Sequence, residues 1–247
     1  MSRRVVITGA CGGVGQALVA AFHMAGWHVV GIDYREEQLR TTCSEFVVAD
    51  LGADGEVSRV FQHVSANGPI DALVNNAAVQ INKSIADTTD DEWAHVMNVN
   101  VRASFQAIRG SISALTKSSG SIVNISSVHA LSTSQNVAAY AISKGALTAL
   151  TRTAAVELAP HGIRCNAVLP GAVDTPMLRD GLSRRPHPEG PDGNLAELSA
   201  RTPLGFVATA HQIAPTVVHL ADNDLSPYTT GQTFVLDGGV LAQLGSE

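Results

Sequence analysis

A tyrosine and a lysine four positions apart, in Tyr140-Ala141-Ile142-Ser143-Lys144, form a pair that could move a proton. In a helix these two side chains lie one turn apart on one face. A free phenol ionises near pH 10, so about one tyrosine in a thousand is phenolate at neutral pH. A nearby ammonium favours the phenolate, and bringing the phenol near pH 7 takes about 4 kcal/mol of differential stabilisation. Two cations in a dry site could supply that much. Upstream, the run Ser121-Ile122-Val123-Asn124-Ile125 ends in Ser126-Ser127. A serine hydroxyl there would reach the same substrate oxygen from a neighbouring strand, orienting it and stabilising developing charge. Alternation along a strand points the two serines in opposite directions, so only one can face the site. Asn100 stands in a helical stretch that begins near Asp91. Its amide could hold a water linking Lys144 to solvent, or it could simply face solvent.

A second group of residues suits a phosphate-bearing ligand. The segment Thr8-Gly9-Ala10-Cys11-Gly12-Gly13-Val14-Gly15 lies between the first apolar run and the first helical pattern. Glycines let the backbone turn tightly and approach a pyrophosphate, while the helix N-terminus presents free N–H groups. It is this placement, more than the glycines alone, that gives the motif weight. The next run, His28-Val29-Val30-Gly31-Ile32, ends at Asp33, with Tyr34 beside it. A carboxylate there can accept from the adenosine ribose hydroxyls and would repel a 2′-phosphate. Arg35 is the one nearby group that argues the other way, and the charge balance favours NAD over NADP. Asp50-Leu51 and Asn75-Asn76-Ala77-Ala78 follow the third and fourth runs and share that rim. Asp50 could bond the adenine amino group, and the small alanines would let the backbone lie against the cofactor.

Apolar, β-branched runs alternate with helical patterns along the whole chain, and the runs are apolar throughout rather than every second residue. That is the mark of strands covered on both faces. The expected fold is therefore α/β: a Rossmann-type, doubly wound, seven-stranded parallel sheet flanked by helices on both faces. No composition break divides residues 1–247, so one nucleotide-binding domain is expected. The stretch from Arg179 to Arg201 carries Pro186, Pro188 and Pro191 and cannot be one continuous helix. It reads either as a surface loop or as a substrate lid at about 176–205.

The chain has 247 residues and a formal net charge of -6, with no basic stripe for tracking phosphates, so nucleic acid is not an expected partner. No apolar stretch is long enough to span a bilayer, and the short start before Thr8 is no signal-peptide core. Cys11, Cys43 and Cys165 are far apart and read as reduced thiols, which suits the cytoplasm. The nine histidines form no ligand cluster, so no metal is expected. His129, two residues past Ser127, is a candidate substrate contact, as are Gln80, Gln135 and Met177. Arg184 and Arg185 could grip a carboxylate but read better as a solvated pair. Trp27 and Trp93 read as core or helix-packing residues.

The ordered set Thr8-Gly9-x-x-x-Gly13-x-Gly15, Asn75-Asn76-Ala77-Ala78, Asn98-Val99-Asn100, Ile125-Ser126-Ser127, Tyr140-x-x-x-Lys144, Pro170-Gly171-x-Val173-x-Thr175 and Gly231-Gln232…Asp237-Gly238-Gly239 resembles the short-chain dehydrogenase/reductase family over essentially the whole chain. The resemblance implies that Asn100, Ser127, Tyr140 and Lys144 are the catalytic group, and its register selects Ser127 over Ser126 and Asn100 over Asn98. It implies that Tyr140 is the acid/base, that Lys144 also binds the nicotinamide ribose, and that Pro170, Gly171, Val173 and Thr175 touch the nicotinamide end. Ala78 departs from the glycine usual there. A small-molecule alcohol or ketone substrate and a homotetramer are further implications. The expected activity is hydride transfer between NAD(H) and a secondary alcohol or ketone. The alternatives are an NADPH-dependent carbonyl reductase and a non-catalytic NAD-binding regulator.

Overall fold

The computed structural model describes residues 2–244. Its strands are β1 (Arg4–Thr8), β2 (His28–Asp33), β3 (Glu45–Val48), β4 (Ala72–Asn75), β5 (Ser121–Ile125), β6 (Arg164–Pro170), β7 (Val173–Asp174), β8 (Ala208–Thr209) and β9 (Thr233–Leu236). The helices are α1 (Gly13–Met24), α2 (Glu36–Thr42), α3 (Glu56–Ala66), α4 (Asp90–Met97), α5 (Ala103–Thr116), α6 (Ala138–Leu158), α7 (Pro176–Ser183), α8 (Gly190–Arg201) and α9 (Ala210–Ala221). Seven strands pair in parallel in the order β3-β2-β1-β4-β5-β6-β9, and β7 pairs with β8 apart from them. The first three strands grow outward one way, then the chain returns to place β4 on the other side of β1. The rim above that switch point, at the carboxyl ends of the strands, is where such sheets take ligands.

The continuous apolar runs follow from burial on both faces. Val6, Leu73, Ile122 and Cys165 turn to the face covered by α3, α5 and α6, where Phe61, Ile108 and Leu158 pack. Val5, Ile7, Val74, Val123 and Val168 turn to the opposite face, against Leu18 and Phe22 of α1 and Ile213 and Val217 of α9. Helix α3 buries Val57, Val60, Phe61 and Val64, the three-and-four spacing of a one-sided helix. Among the described residues no helix is long and apolar enough to cross a membrane.

Three local features differ from the sequence expectation. The single helix expected from Asp91 is interrupted: α4, closed by a Thr89–Glu92 capping box, runs into a π-helical turn at Asn98–Arg102 before α5 resumes. The proline-rich stretch is not an irregular loop. It folds into α7 and α8, broken where Pro186 and Pro188 stand, and the buried Asn194 of α8 donates to the carbonyls of Leu182 and Arg185, closing the end of α7. Trp27 is buried, but Trp93 on α4 is 40% exposed, which removes the core reading and leaves helix packing.

Candidate active site

Tyr140 and Lys144 lie on the first turns of α6, both buried against the end of β5. Lys144 Nζ donates to the Ile125 carbonyl at 2.8 Å, and Ser126 Oγ donates to the Lys144 carbonyl at 2.9 Å. These reciprocal bonds fix α6 to the strand end and use up the Ser126 hydroxyl. Ser127 lies in extended backbone just beyond the strand, with its hydroxyl near enough to the Tyr140 phenol to favour the phenolate. Its Oγ also accepts the His129 backbone N–H at 3.2 Å. Lys144 Nζ stands 5.5 Å from the centre of the Tyr140 ring, and the His129 ring meets that ring nearly at right angles, 5.8 Å away.

Asn100 is brought to the same cluster by the π-helical turn, and it is buried rather than solvent-facing. Its Oδ1 accepts the Val79 N–H at 2.8 Å, while Nδ2 donates to the Val79 carbonyl and to Ser143 Oγ, each at 2.9 Å. Ser143 Oγ in turn donates to the Tyr140 carbonyl at 2.7 Å. The amide therefore clamps the loop after β4 to α6 and makes no direct bond to Lys144. Ser143 was not singled out from the sequence, although its place between the tyrosine and the lysine was the available signal.

Burial governs the protonation of the central pair. The Tyr140 phenol is pushed up to about 12 by desolvation, with the nearby Ser127 hydroxyl acting the other way. Desolvation also brings the Lys144 ammonium down to about 8. The expected lowering of the phenol is thus not produced by the chain's own groups. The ammonium is turned to a backbone carbonyl and lies over the ring rather than at the hydroxyl.

The glycine segment is shaped for close approach. Gly9 has φ +65°, and a Cβ there would lie 2.8 Å from Ala77 Cα; a Cβ on Gly15 would lie 2.0 Å from the Gly9 carbonyl oxygen. Helix α1 starts from extended Gly12 with no side chain capping it and no acid in its first turn, leaving its N-terminal N–H groups for an anion. These residues fit the diphosphate of a dinucleotide. The buried Asp33 carboxylate accepts the Cys11 N–H at 3.0 Å, as well as the Arg35 N–H and guanidinium at 3.2 Å. Tyr34 is 68% exposed, under the Arg35 guanidinium. Cys11 is buried, and desolvation together with the Asp33 charge pushes its thiol up to about 11, the reverse of a reactive cysteine.

Other rim residues are partly used to hold the rim itself. Thr8 Oγ1 accepts the N–H groups of Asn76 and Ala77, and Asn76 Nδ2 donates back to the carbonyls of Thr8 and Gly9, at 3.0–3.1 Å. Asp50 accepts the Gly52 N–H at 2.9 Å, and Leu51 is buried. Pro170 ends β6, Gly171 follows it, and Val173 opens β7. Thr175 caps α7, and its methyl group stands 2.7 Å from where a Cβ of Gly13 would be, so the base of the lid touches the glycine segment. Val14 and Ala78 are half-buried on the same rim.

Of the substrate candidates, His129 alone makes a recorded contact with the Ser127–Tyr140 cluster. Gln135 is exposed in the loop before α6, and Met177 is 38% exposed on α7. Arg184 is paired with Asp180 at 2.8 Å, and Arg179 with Asp174 and Asp192. Among the described residues no three His, Cys, Asp or Glu side chains gather as metal ligands would.

This arrangement has close relatives. The family model described as Enoyl-(Acyl carrier protein) reductase matches residues 9–241. The chain is 34% identical to "Dehydrogenase/reductase SDR family member 6" of Xenopus laevis, covering 95% of this chain and 96% of the relative. It is 38% identical to L-xylulose reductase of Bos taurus, covering 97% of each. Among solved structures, one assigned as an NAD(P)-dependent gluconate 5-dehydrogenase from Beutenbergia cavernae, with NADP bound at low occupancy, superposes with a TM-score of 0.90 at 33% identity, covering 98% of this chain and 97% of that one. The chain belongs to the short-chain dehydrogenase/reductase family. It is an oxidoreductase of alcohols or ketones that works with a nicotinamide cofactor.

Proposed function

We propose that the chain transfers a hydride between NAD(H) and a secondary alcohol or ketone, with Tyr140 as the general acid/base. The observation that carries this reading is the Ser127 hydroxyl standing near the buried Tyr140 phenol at the carboxyl end of β5, on the strand-end rim that also carries the glycine segment. Two such hydroxyls can converge on one substrate oxygen. A dinucleotide held there supplies the hydride donor or acceptor. Asn100 holds the loop at Val79 against α6. Ser127 orients the substrate oxygen. Tyr140, pushed up to about 12, keeps its proton at neutral pH and is poised to deliver it to a ketone oxygen as negative charge grows there. Running towards oxidation, the phenol must give up that proton first, a step that burial opposes and the Lys144 ammonium favours. Lys144, brought down to about 8 by burial, still carries its charge at pH 7.

NAD is preferred because the residue ending β2 is a buried carboxylate, and the one nearby cation, Arg35, is already paired with it. A second reading, NADPH-dependent ketone reduction, is favoured by the same Arg35, whose side chain is 43% exposed, and by the NADP in the Beutenbergia structure. Residues 1–247 are taken as one cytoplasmic domain with α7 and α8 as its lid. Homotetramer formation is supported by the apolar groove at Met97, Val101, Phe105 and Leu150 on the outer side of α5 and α6.

Two measurements test the reading. Tyr140→Phe should lower turnover about a thousandfold or more while leaving cofactor affinity within a factor of about two. A variant that stays active removes the proton path. Titrating the protein with both cofactors should show tighter NAD binding, and the reverse order would select the second reading.

A further inference from the structure

Ser143 stands between Tyr140 and Lys144 in the sequence, yet neither the proton path nor the cofactor contacts draw on it. It is fully buried on α6, among the small residues Ala141, Gly145 and Ala146. Alanine is the better helix former at such a position, because a serine hydroxyl competes for backbone groups and needs a partner once buried. A buried serine in a helix therefore calls for a use of its hydroxyl.

The protons around that hydroxyl can be assigned one by one. Asn100 Oδ1 accepts the Val79 N–H, which fixes the orientation of the amide. Of the two Nδ2 protons, one goes to the Val79 carbonyl and the other to Ser143 Oγ. Ser143 then has a single proton to give, and it goes to the Tyr140 carbonyl at 2.7 Å. The chain of bonds runs from the Val79 carbonyl and N–H through Asn100 and Ser143 to the backbone of Tyr140. Asn100 is 1% exposed and Ser143 not at all, so solvent does not replace a lost partner.

The turn that receives this bond has little support from its own helix end. Helix α6 starts after Val137, whose side chain caps nothing, and its first turn carries no acid. One turn further in, Lys144 is fastened twice, by Nζ to the Ile125 carbonyl and by its own carbonyl from Ser126 Oγ. Those bonds hold α6 to β5. The bridge through Ser143 holds the Tyr140 turn to the loop after β4, whose Asn76 and Ala77 lie against Gly9 of the glycine segment.

We propose that Ser143 is a positioning residue: through Asn100 its hydroxyl sets the Tyr140 turn against the loop at Val79, and so sets where the phenol stands relative to the cofactor rim. The inference rests on the proposed reaction, in which Tyr140 exchanges the proton. It gives Asn100 a route to Tyr140 that does not pass through Lys144.

The test uses the full chain as wild type, Ser143→Ala, Ser143→Thr, Asn100→Ala and the double variant with both alanines. Reduction of butane-2,3-dione and cyclohexanone by NADH is measured, and the ring signals of isotope-labelled tyrosine are followed by NMR in the NADH-loaded protein. There are three tyrosines, and the exposed Tyr34 and Tyr228 serve as references for Tyr140. Ser143→Ala should lower kcat about tenfold or more, keep KM and NADH affinity within about twofold, and move the Tyr140 signal alone. Ser143→Thr keeps a hydroxyl that can bond the same carbonyl and should recover most of the loss. With Asn100 already replaced, Ser143→Ala should move the Tyr140 signal little further, because the chain is cut. An unmoved Tyr140 signal in Ser143→Ala overturns the inference, as does an equal loss of NADH affinity, which marks general loosening. Full additivity in the double variant takes Asn100 out of the path and overturns it too. Equal losses in Ser143→Ala and Ser143→Thr would show that space counts and the hydroxyl does not. A moved signal beside a wild type that reduces neither ketone supports the bridge and sinks the proposed reaction instead. Neither movement nor turnover sinks both.

Discussion

The two sides of the candidate cleft are built by different means. On the cofactor side, from β1 to the start of α1, the shape is set by backbone: atoms of Gly9, Gly15 and Ala77 stand closer than any side chain permits. On the lid side, α7 and α8 are held to each other by side-chain reach, with Asn194 closing α7 and Arg179 tying Asp174 to Asp192. A backbone constraint tolerates almost no substitution and leaves a glycine in the sequence. A side-chain tie can be made by many residue pairs and leaves no fixed mark. One half is therefore rigid and readable, and the other adjustable and opaque, as expected if the chemistry is shared across a family and the substrate is not.

The sharpest way to break that contrast is at Gly15. Its Cβ would meet the Gly9 carbonyl oxygen at 2.0 Å, and neither backbone can move without opening the turn. Gly15→Ala should cost about 3 kcal/mol or more and abolish cofactor binding, read by chemical denaturation and by NADH fluorescence. Gly145→Ala is the control. A Cβ there meets nothing within 4 Å on a helix, so the change should add about 0.5–1 kcal/mol of stability. If the two variants behave alike, close approach is not what the glycine segment is for.

Lys144 tests the buried cluster where α6 meets the end of β5. Its ammonium is held near 8 by burial, against an ordinary value of 10.5. Between those pH values the folded protein has shed a proton that the unfolded chain still carries, so unfolding takes one up and stability rises with pH. Below about 8 the native state bears the whole cost of a buried charge, an effect of about 3 kcal/mol across the interval. Lys144→Met should accordingly gain stability over wild type at pH 7 and lose that advantage by pH 10, in urea unfolding at both pH values. A stability difference that does not vary with pH would place the lysine in solvent. Above pH 10 the raised Tyr140 works in the opposite sense, since its stability contribution is lost as the phenol titrates towards 12.

What could be read from the sequence divides along the same line. The sheet was legible because two-sided burial writes continuous apolar runs, and β1, β2, β4 and β5 fall where those runs stand. The tyrosine–lysine pair was legible because one helical turn fixes its spacing. Asn100 was legible as a position but not as a bonding pattern. A π-helical turn shifts the facing of side chains without any residue type that announces it. In the chain alone burial outweighs the lysine at Tyr140, because the Ile125 carbonyl holds the ammonium; the second cation that the expected lowering needs belongs to the oxidised cofactor. The helices of the lid were hidden by prolines. Pro176 and Pro191 sit in first turns, where a missing N–H costs nothing, and Pro186 and Pro188 lie in the break between helices.

The lid offers the mildest test of the contrast. Asn194 Nδ2 donates at 3.1 Å to Leu182 O and at 3.0 Å to Arg185 O, and the residue is only 7% exposed. Asn194→Ala strips two carbonyls at the end of α7 of their partner, at a cost of about 1–2 kcal/mol. Because Thr175, at the other end of α7, keeps its contact with Gly13, the loosening should begin at the far end and leave the phosphate side alone. The variant should therefore raise KM for the alcohol severalfold while kcat and NADH affinity change less than twofold, in steady-state kinetics with a parallel binding titration. Cofactor affinity falling as KM rises would show that α7 transmits strain to the glycine segment through Thr175. The cleft would then be one mechanical unit rather than a rigid half and an adjustable one.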